Sequence, residues 1–313
     1  MRAMQYKSYA GALDLVDVPK PTPSANQVLV QVHVASVNPV DWKQASGKLR
    51  LVMPVKLPCV PGYDLAGVVV AAGPGAQHFT PGMRVHTRLG GLNGGASAEF
   101  ALCGTDTLTP MPESMDYETA AGLPLAGMTA LQGLRDQCGM PMLGATERVL
   151  IVGGSGGVGH LAVQIARSAG AHVTAVCSAG NAQLVSDLGA QQTVDYRAPS
   201  PYAGLPPFDI VLDCVGGDPG PWLPLLTPNG RYASTVPGPL VMARMLLNAV
   251  TARKVRPVLL KSNAADLAVL DGLAQAGKLR VVVDSRFTLD KLADAWVRSR
   301  SGRAVGKILV SVL

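Results

Sequence analysis

The sequence has few charged and few aromatic residues, and each shortage narrows the class of protein. Charged residues make up 15% of the 313 residues, against about 25% in an average globular protein, which argues against a disordered chain. Aromatic residues are only 4% while 48% are hydrophobic, with Gly, Ala and Val abundant, as expected where strands are buried on both faces by helices. The chain is therefore expected to fold, with enough apolar content for two cores.

Cysteine pairs, an apolar leader and a clustered basic patch are also missing. The five cysteines are widely spaced with no C-x-x-C, which indicates neither a disulfide framework nor a structural zinc site and suits a reducing compartment. Because we find neither an apolar signal core nor an apolar run long enough for a bilayer, we expect a cytoplasmic protein without a membrane span. The net charge is +6, but the densest basic group, Arg298, Arg300 and Arg303, lacks interleaved aromatics, so a nucleic-acid partner is not expected.

Strand and helix signals divide the chain into two kinds of sequence. The first third carries short Val-rich strands such as NQVLVQVHVASV between Pro and Gly turns, which predicts an irregular antiparallel barrel or sandwich. Further on, apolar strands alternate with helical segments, the pattern of an α/β protein with a doubly wound parallel sheet. The predicted strands are RVLIVGG, AHVTAVCS, QTVDY, FDIVLDCVG, GRYAST and KVRPVLL. The last stretch, about 40 residues, is too short for a core of its own, so we expect it to return to the first unit.

One glycine-rich turn, in IVGGSGGVGHLAVQIA, fits two incompatible chemistries. It matches the nucleophile elbow of a hydrolase around Ser155 and the G-x-G-x-x-G of a dinucleotide-binding turn. A hydrolase needs a later histidine base, but only His160 and His172 follow, at the start of the next helix and the next strand. The turn lies instead inside a βαβ unit of about 30 residues, which favours the dinucleotide. The candidate cofactor residues in the turn are Gly154, Ser155, Gly156, Gly157, Val158 and Gly159.

The end of the second βαβ strand predicts which dinucleotide binds. An NAD site usually carries an Asp or Glu about 20 residues after the glycines, whereas this chain has VCSAGN there. With no carboxylate to repel a 2′-phosphate, NADP(H) is favoured, and Ser178 and Asn181 can donate hydrogen bonds to it. Tyr196 and Arg197, just after the next short strand, can complete the pocket; an ordinary pair of surface loop residues is the equal alternative.

Five motifs occur in a set order: VNPVDWK, PGYDLAG, LPLAGMTALQGL, GGSGGVGHLAVQIA and GRAVGKILV. With them the chain resembles the medium-chain dehydrogenase/reductase superfamily, and within it the zinc-free, zeta-crystallin-like quinone oxidoreductase branch. The resemblance implies a GroES-like, β-rich catalytic domain over residues 1–122 and 277–313. It also implies an inserted Rossmann domain over residues 123–276.

The resemblance implies a catalytic site without metal. Zinc-dependent relatives bind their metal at positions that match Asn38, Tyr63 and Leu125 here, and amide, phenol and isobutyl side chains together cannot ligate zinc. Without a Lewis acid a simple carbonyl is hard to reduce, whereas a quinone or an enone accepts hydride to give a delocalised anion. We therefore expect a zinc-independent, NADPH-dependent oxidoreductase that acts on a quinone or on the C=C bond of an α,β-unsaturated ketone.

Three polar residues are the catalytic candidates. Asn38 is expected beside the nicotinamide or the substrate oxygen, and Tyr63 as a donor or proton relay; a turn starter and a pocket wall are the structural alternatives. Asp41 is the third, although Asp41 and Asp64 more often serve loop hydrogen bonding. Matching motifs imply further cofactor contacts at Thr129, Val215, Gly216, Gly306 and Lys307. Gly306 and Lys307 are expected at the interdomain cleft; the alternatives are a helix-packing hydroxyl at Thr129 and a solvated strand end at Lys307.

Two other functions stay open at this point. One is metal-free reduction of carbonyls or oxidation of alcohols. The other is an NADPH-binding protein with a structural or RNA-interacting role and little turnover, which the basic sequence pI of about 9.1 keeps open. We also expect a homodimer formed by pairing of KVRPVLL as an exposed sheet edge.

Overall fold

The structure is a computed structural model that describes residues 1–313. The strands are β1 (Arg2–Gln5), β2 (Asp14–Asp17), β3 (Gln27–Val37), β4 (Asp64–Ala72), β5 (Arg84–Arg88), β6 (Phe100–Gly104), β7 (Thr109–Pro110), β8 (Arg148–Val152), β9 (His172–Cys177), β10 (Gln192–Asp195), β11 (Phe208–Asp213), β12 (Leu226–Ser234), β13 (Lys254–Pro257), β14 (Val283–Thr288) and β15 (Lys307–Ser311). The α-helices are α1 (Pro39–Ala45), α2 (Tyr117–Gly122), α3 (Pro124–Gln132), α4 (Gly159–Ala169), α5 (Ala182–Asp187), α6 (Pro239–Met245), α7 (Ala264–Gln275) and α8 (Leu292–Arg300). None of these helices is long and apolar enough to cross a membrane.

The chain forms two compact units. The first comprises residues 1–125, 262–276 and 281–313, and the second comprises residues 126–261 and 277–280. Helix α7, which the resemblance assigns to the Rossmann domain, packs in the first unit. There, His86 of β5 has Nε2 at 3.1 Å from a carboxylate oxygen of Asp271 on α7 and Nδ1 at 2.9 Å from the Ala120 carbonyl oxygen.

The first unit is built around a seven-stranded sheet. Its strands run in the order β14-β15-β3-β4-β5-β7, and β6 pairs with β3. The long strand β3 pairs antiparallel with β15 and β4 on its two sides. Its valines at positions 28, 30 and 32 all point into one core, because side chains two positions apart lie on the same face of a strand. The same core contains residues of α8 and β15. The first unit is thus β-rich and mostly antiparallel, with β14 and β15 paired in parallel at one end of its sheet.

The second unit is the predicted doubly wound sheet. All six predicted strands form, in the order β10-β9-β8-β11-β12-β13, and every neighbouring pair is parallel. The α/β class with a β-rich unit and a parallel Rossmann sheet is therefore confirmed. The order reverses between β8, which is central, and β11, and the carboxyl ends of parallel strands at such a switch point form the crevice where dinucleotides bind.

Candidate active site

The glycine turn joins the end of β8 to the start of α4 in the second unit. The left-handed residue is Gly153, with φ +76°, one position before the Gly154 expected to form the tight turn. Gly154 instead lies against β9, since a Cβ there would be 2.9 Å from the Cβ of Ala175. A Cβ on Gly159 would lie 2.0 Å from the Gly153 carbonyl oxygen, so only glycine lets the helix begin this close to the strand.

The same turn bears on the hydrolase interpretation. The Ser155 hydroxyl accepts a hydrogen bond from Asn181 Nδ2 at 3.0 Å. The ring of His160 is buried, with Nδ1 2.9 Å from the Gly156 carbonyl oxygen. Serine and histidine are thus committed to different neighbours, which supports the dinucleotide interpretation of the motif.

The residues expected around a 2′-phosphate lie at the ends of β9 and β10. Ser178 follows β9 directly, and its carbonyl accepts a hydrogen bond from the backbone N–H of Asn181. The pairing of β10 with β9 brings Tyr196 alongside, with its N–H donating to the Cys177 carbonyl. Tyr196 is 49% exposed, and the Arg197 guanidinium lies 5.2 Å from the centre of its ring. The structure therefore brings all four residues to one edge of the sheet.

Sequence reasoning missed two carboxylates in this unit. Asp195 ends β10 and accepts a hydrogen bond from the Arg197 backbone N–H. Asp213 ends β11, is fully buried, and accepts from the N–H groups of Val215 and Gly216 at 2.8 and 2.9 Å. The Tyr232 hydroxyl donates to its other oxygen at 2.7 Å. The signal for Asp213 was its place at the carboxyl end of an apolar parallel strand.

The predicted contact segment after β11 is shaped by Asp213. Gly216 has φ +84°, and Val215 is 63% exposed. A Cβ on Gly153 would lie 2.7 Å from Val215 Cγ2, so this segment covers the glycine turn. Thr129, the other predicted contact in this unit, is buried on α3.

In the first unit, Lys307 and Asn38 meet in a buried cluster. Gly306 has φ +81°, and a Cβ there would lie 2.1 Å from the Val282 carbonyl oxygen, so glycine is required just before β15. Lys307 begins β15 and is 2% exposed, which rules out the solvated strand end. Its Nζ donates to Asn38 Oδ1 at 2.7 Å and lies 3.7 Å from Asp64 Oδ2.

Asp64 is the centre of this cluster. Its Oδ2 accepts from Asn38 Nδ2 at 2.8 Å and from the Ser36 hydroxyl at 3.1 Å, and its Oδ1 accepts from the Leu125 N–H at 3.1 Å. Burial raises the pKa of Asp64, whereas Lys307, Asn38 and the nearby Arg88 oppose that rise. Burial likewise lowers the pKa of Lys307, and the two carboxylates Asp64 and Asp41 oppose it.

Asp41, the third catalytic candidate, lies in the first turn of α1. Its Oδ2 accepts a hydrogen bond from the backbone N–H of Asn38 at 2.8 Å, whereas its buried Oδ1 has no partner. Burial raises the pKa of Asp41 to about 7; the Asn38 N–H, Lys307 and Arg88 lower it and Asp64 raises it further. Asp41 is thus the buried carboxyl of the cluster that changes charge near neutral pH.

Tyr63 is fully buried and holds a loop. Its hydroxyl lies 2.6 Å from the Leu92 carbonyl oxygen and 2.9 Å from Gln44 Oε1, and the Gln44 amide also donates to the Leu92 carbonyl. Because a hydroxyl has one proton, it donates to one of these acceptors at a time. The Arg88 guanidinium lies 4.8 Å from the ring centre. Burial raises the pKa of Tyr63 to about 12, so the phenol keeps its proton at neutral pH.

Comparison with known proteins identifies the family. The descriptions "Alcohol dehydrogenase GroES-like domain" and "Zinc-binding dehydrogenase" match residues 24–113 and 188–310. Over 99% of its length the chain is 40% identical to the chloroplast envelope quinone oxidoreductase homolog of Arabidopsis thaliana, covering 98% of that protein. The chain belongs to the medium-chain dehydrogenase/reductase superfamily. As a member of this superfamily it is an oxidoreductase that binds a nicotinamide cofactor.

Two other members of the superfamily are similar over most of their length. The 2-methylene-furan-3-one reductase of Solanum lycopersicum is 32% identical, with 99% of this chain and 79% of that protein covered. The structure of the quinone oxidoreductase from Coxiella burnetii superposes with a TM-score of 0.90 at 32% identity, covering 100% of this chain and 99% of that one. The predicted resemblance is therefore confirmed.

The residues of the second unit fit a dinucleotide. A Cβ on Gly156 would meet only the Gly153 carbonyl oxygen, at 3.4 Å, so this part of the turn leaves backbone open to a phosphate. The N-terminus of α4 follows directly, and the unpaired N–H groups of a helix N-terminus attract anions.

The residues of the first unit do not fit the zinc ion that one family description names. Asn38 and Tyr63, at two of the metal-ligand positions of zinc-dependent members, are bonded to protein groups, and Leu125 offers an apolar side chain. The structure contains no group of three or more His, Cys, Asp or Glu residues that could hold a metal ion. Zinc requires thiolate, imidazole or carboxylate ligands, and the three side chains at these positions offer none.

Proposed function

We propose that this oxidoreductase transfers hydride from NADPH to a quinone or to the C=C bond of an α,β-unsaturated ketone, without a catalytic metal. The observation that carries the proposal is the donor set at the metal-ligand positions of the zinc-dependent members. An amide, a phenol and a leucine occupy them, and the amide of Asn38 is held by the buried Asp64 and Lys307. The quinone and enone relatives named above support the substrate class.

Conjugation in the substrate compensates for the absent Lewis acid. A bound nicotinamide supplies the hydride. When hydride reaches an isolated carbonyl, the negative charge stays on one oxygen and needs a strong electrophile, whereas an enolate or a quinol anion spreads the charge. Neutral hydrogen-bond donors can then stabilise it. Asn38 is the donor we assign to the substrate oxygen or to the nicotinamide amide.

Tyr63 and Asp41 take different parts in this proposal. Since the Tyr63 proton is directed at the Leu92 carbonyl or at Gln44, the phenol serves as a donor to substrate only when that bond opens. Asp41 gains or loses a proton near pH 7, and its carboxyl group accepts a hydrogen bond from the Asn38 backbone N–H. We therefore expect the ionisation of Asp41 to shape the pH dependence of turnover. The proton that completes the reduction comes from water.

The preference for NADPH rests on the edge formed by β9 and β10. Ser178, Asn181, Tyr196 and Arg197 provide hydroxyl, amide, phenol and guanidinium groups for a 2′-phosphate. The carboxylate of Asp195 would repel a 2′-phosphate, but one of its oxygens accepts a hydrogen bond from the Arg197 backbone N–H. The sum of these groups favours the phosphorylated cofactor.

Turnover by purified, chelator-treated protein is the direct test. The loss of nicotinamide absorbance is followed with NADPH or NADH and with a simple quinone, an enone and a saturated ketone. We expect turnover of the quinone or the enone with NADPH. Turnover of the saturated ketone would favour the carbonyl reductase instead, and tight NADPH binding without any turnover would favour the structural or RNA-interacting role.

Association and location are further parts of the proposal. Strand β13 is an edge strand of the second unit's sheet, and an unpaired edge can pair with a second copy; we propose a homodimer formed there. We also propose a cytoplasmic location. Fractionation of cells that express the protein at its natural level tests it.

A further inference from the structure

Three strand ends of the first unit bring charged and polar side chains to one place. β3 ends at Val37, so Ser36 and Asn38 flank its last residue, while β4 and β15 begin with Asp64 and Lys307. Because both strands run antiparallel to β3, their first residues lie beside its end, as the pairing of Asp64 with Ser36 shows. The meeting of these residues is a direct result of sheet topology.

The hydrogen-bonding chemistry allows one orientation of the Asn38 amide. An ammonium group only donates and an ionised carboxylate only accepts. Lys307 therefore takes the amide oxygen and Asp64 the amide nitrogen, as the distances of 2.7 and 2.8 Å show. Turning the amide over would place NH₂ against ammonium and oxygen against carboxylate.

We propose that Asp64 and Lys307 are positioning residues, which lock the Asn38 amide so that its second N–H faces the reaction in a fixed place. The inference deepens the proposed function and rests on it for the part played by Asn38. The ionic groups act through Asn38, and neither is assigned a contact with substrate.

Stability alone does not account for the pair. Both side chains are almost completely buried, and their closest charged atoms are 3.7 Å apart, beyond hydrogen-bond distance. Buried ion pairs add little net stability because desolvation offsets the attraction between the charges, and apolar replacements of similar volume are often as stable. Each charged group instead makes a short hydrogen bond to the Asn38 amide. The effect of the pair is therefore on the orientation of that amide.

The side-chain amide of Asn38 can be observed directly by NMR. In isotope-labelled protein, the signal lost on Asn38→Ala identifies its NH₂ group. We expect two well-separated proton resonances that exchange slowly with solvent in the wild type. The double variant Asp64→Asn/Lys307→Met removes both charges together, so neither is left buried alone, and should change both resonances and speed their exchange about tenfold or more. Ser36→Ala, which removes another hydrogen bond to Asp64 but none to Asn38, is the matched control and should keep the wild-type pattern.

Kinetics provide the second readout. We expect the double variant to lower kcat by about 100-fold, the scale of a misplaced reacting group. The single variant Lys307→Arg keeps a cationic donor, so we expect its kcat to be close to that of the wild type and well above that of the double variant.

The two readouts separate the possible failures. An unchanged Asn38 signal in the double variant, or an equal change in Ser36→Ala, would overturn the positioning role whatever the activity. A changed signal with unchanged kcat would also overturn it, since the orientation would not matter to the reaction. If the wild type itself turns over no acceptor, the proposed function fails, and the NMR result alone still decides whether the charges orient the amide.

Discussion

At the scale of single residues, the buried carboxyl group of Asp41 should make the stability of the fold depend on pH. Its folded-state pKa of about 7 lies above the ordinary value of about 4 for an aspartate in an unfolded chain. Between these values the folded protein holds a proton that the unfolded chain has released, so the contribution of Asp41 to stability is largest below pH 4 and is lost as pH rises towards 7. Above pH 7 both states are ionised and the loss is complete.

Asp41→Asn should remove this pH dependence. We expect the fall in unfolding free energy between pH 5 and 7 to flatten by on the order of 1 kcal/mol per pH unit, with Asp64, Lys307 and Arg88 left in place. Chemical denaturation at a series of pH values measures it. Asp187→Asn, on the exposed side of α5, is the control; a variant with the wild-type slope would show that Asp41 is ionised throughout.

In the proposed function, the Arg197 guanidinium contacts the 2′-phosphate of NADPH and so favours NADPH over NADH. Removing a guanidinium that meets a phosphate should weaken NADPH binding about tenfold or more, the size of a charge-assisted hydrogen bond, and leave NADH within twofold. Titration of Arg197→Ala with each nucleotide gives the ratio. Arg148→Ala makes the same charge change at the opposite end of the sheet, where β8 begins. Equal losses for NADPH and NADH would contradict the assigned 2′-phosphate contact.

At the scale of elements, the turn between β8 and α4 contains one glycine that the fold requires, Gly159, and one that we assign to the cofactor, Gly156. Gly159→Ala places a Cβ 2.0 Å from a backbone oxygen, so the strand and helix must move apart, and we expect a loss of about 1–3 kcal/mol or more. Gly156→Ala meets nothing closer than 3.4 Å and should unfold within about two degrees of wild type. It should nevertheless weaken nucleotide binding about tenfold, because its methyl group occupies the phosphate approach.

The two glycine variants are each other's control. Thermal unfolding and nucleotide titration on both give four values from one experiment. Equal stability losses would show that the turn is uniformly tight. Unchanged nucleotide affinity in Gly156→Ala would remove that glycine from the site.

The local sequence predicted the secondary-structure elements better than it predicted which elements pack against one another. The central strands β8, β9 and β11 of the second unit could be predicted because a parallel sheet buried on both faces makes such strands nearly continuous buried runs. Helix α7 packs in the first unit, whereas the resemblance assigns its residues to the Rossmann domain, and the sequence around Asp271 does not say which histidine this carboxylate will meet. The cluster around Asp64 could not be predicted either, because Asn38 and Lys307 are 269 positions apart and only the order of the strands brings them together.

At the scale of the whole molecule, association should depend on apolar residues near β13. Leu246 and Val250, between α6 and β13, are 77% and 82% exposed, and large apolar groups exposed to this degree favour a partner surface. Leu246→Asp/Val250→Asp should turn a dimer into a monomer in sedimentation velocity. Leu143→Asp, an equally exposed leucine at 87%, should leave the dimer intact. A monomeric wild type, or a double variant that still dimerises, would contradict this interface.

The composition of the first unit from three separate chain segments has a consequence for biosynthesis. Most of the second unit is one continuous stretch, so it can fold while the ribosome is still adding residues, as domains generally do. The first unit has to wait for β15, because the buried ammonium of Lys307, 3.7 Å from Asp64, is translated only near the end of the chain. Until then the carboxylate of Asp64 lacks one of its two nearby cations, and we expect the nascent first unit to stay open to chaperones and proteases.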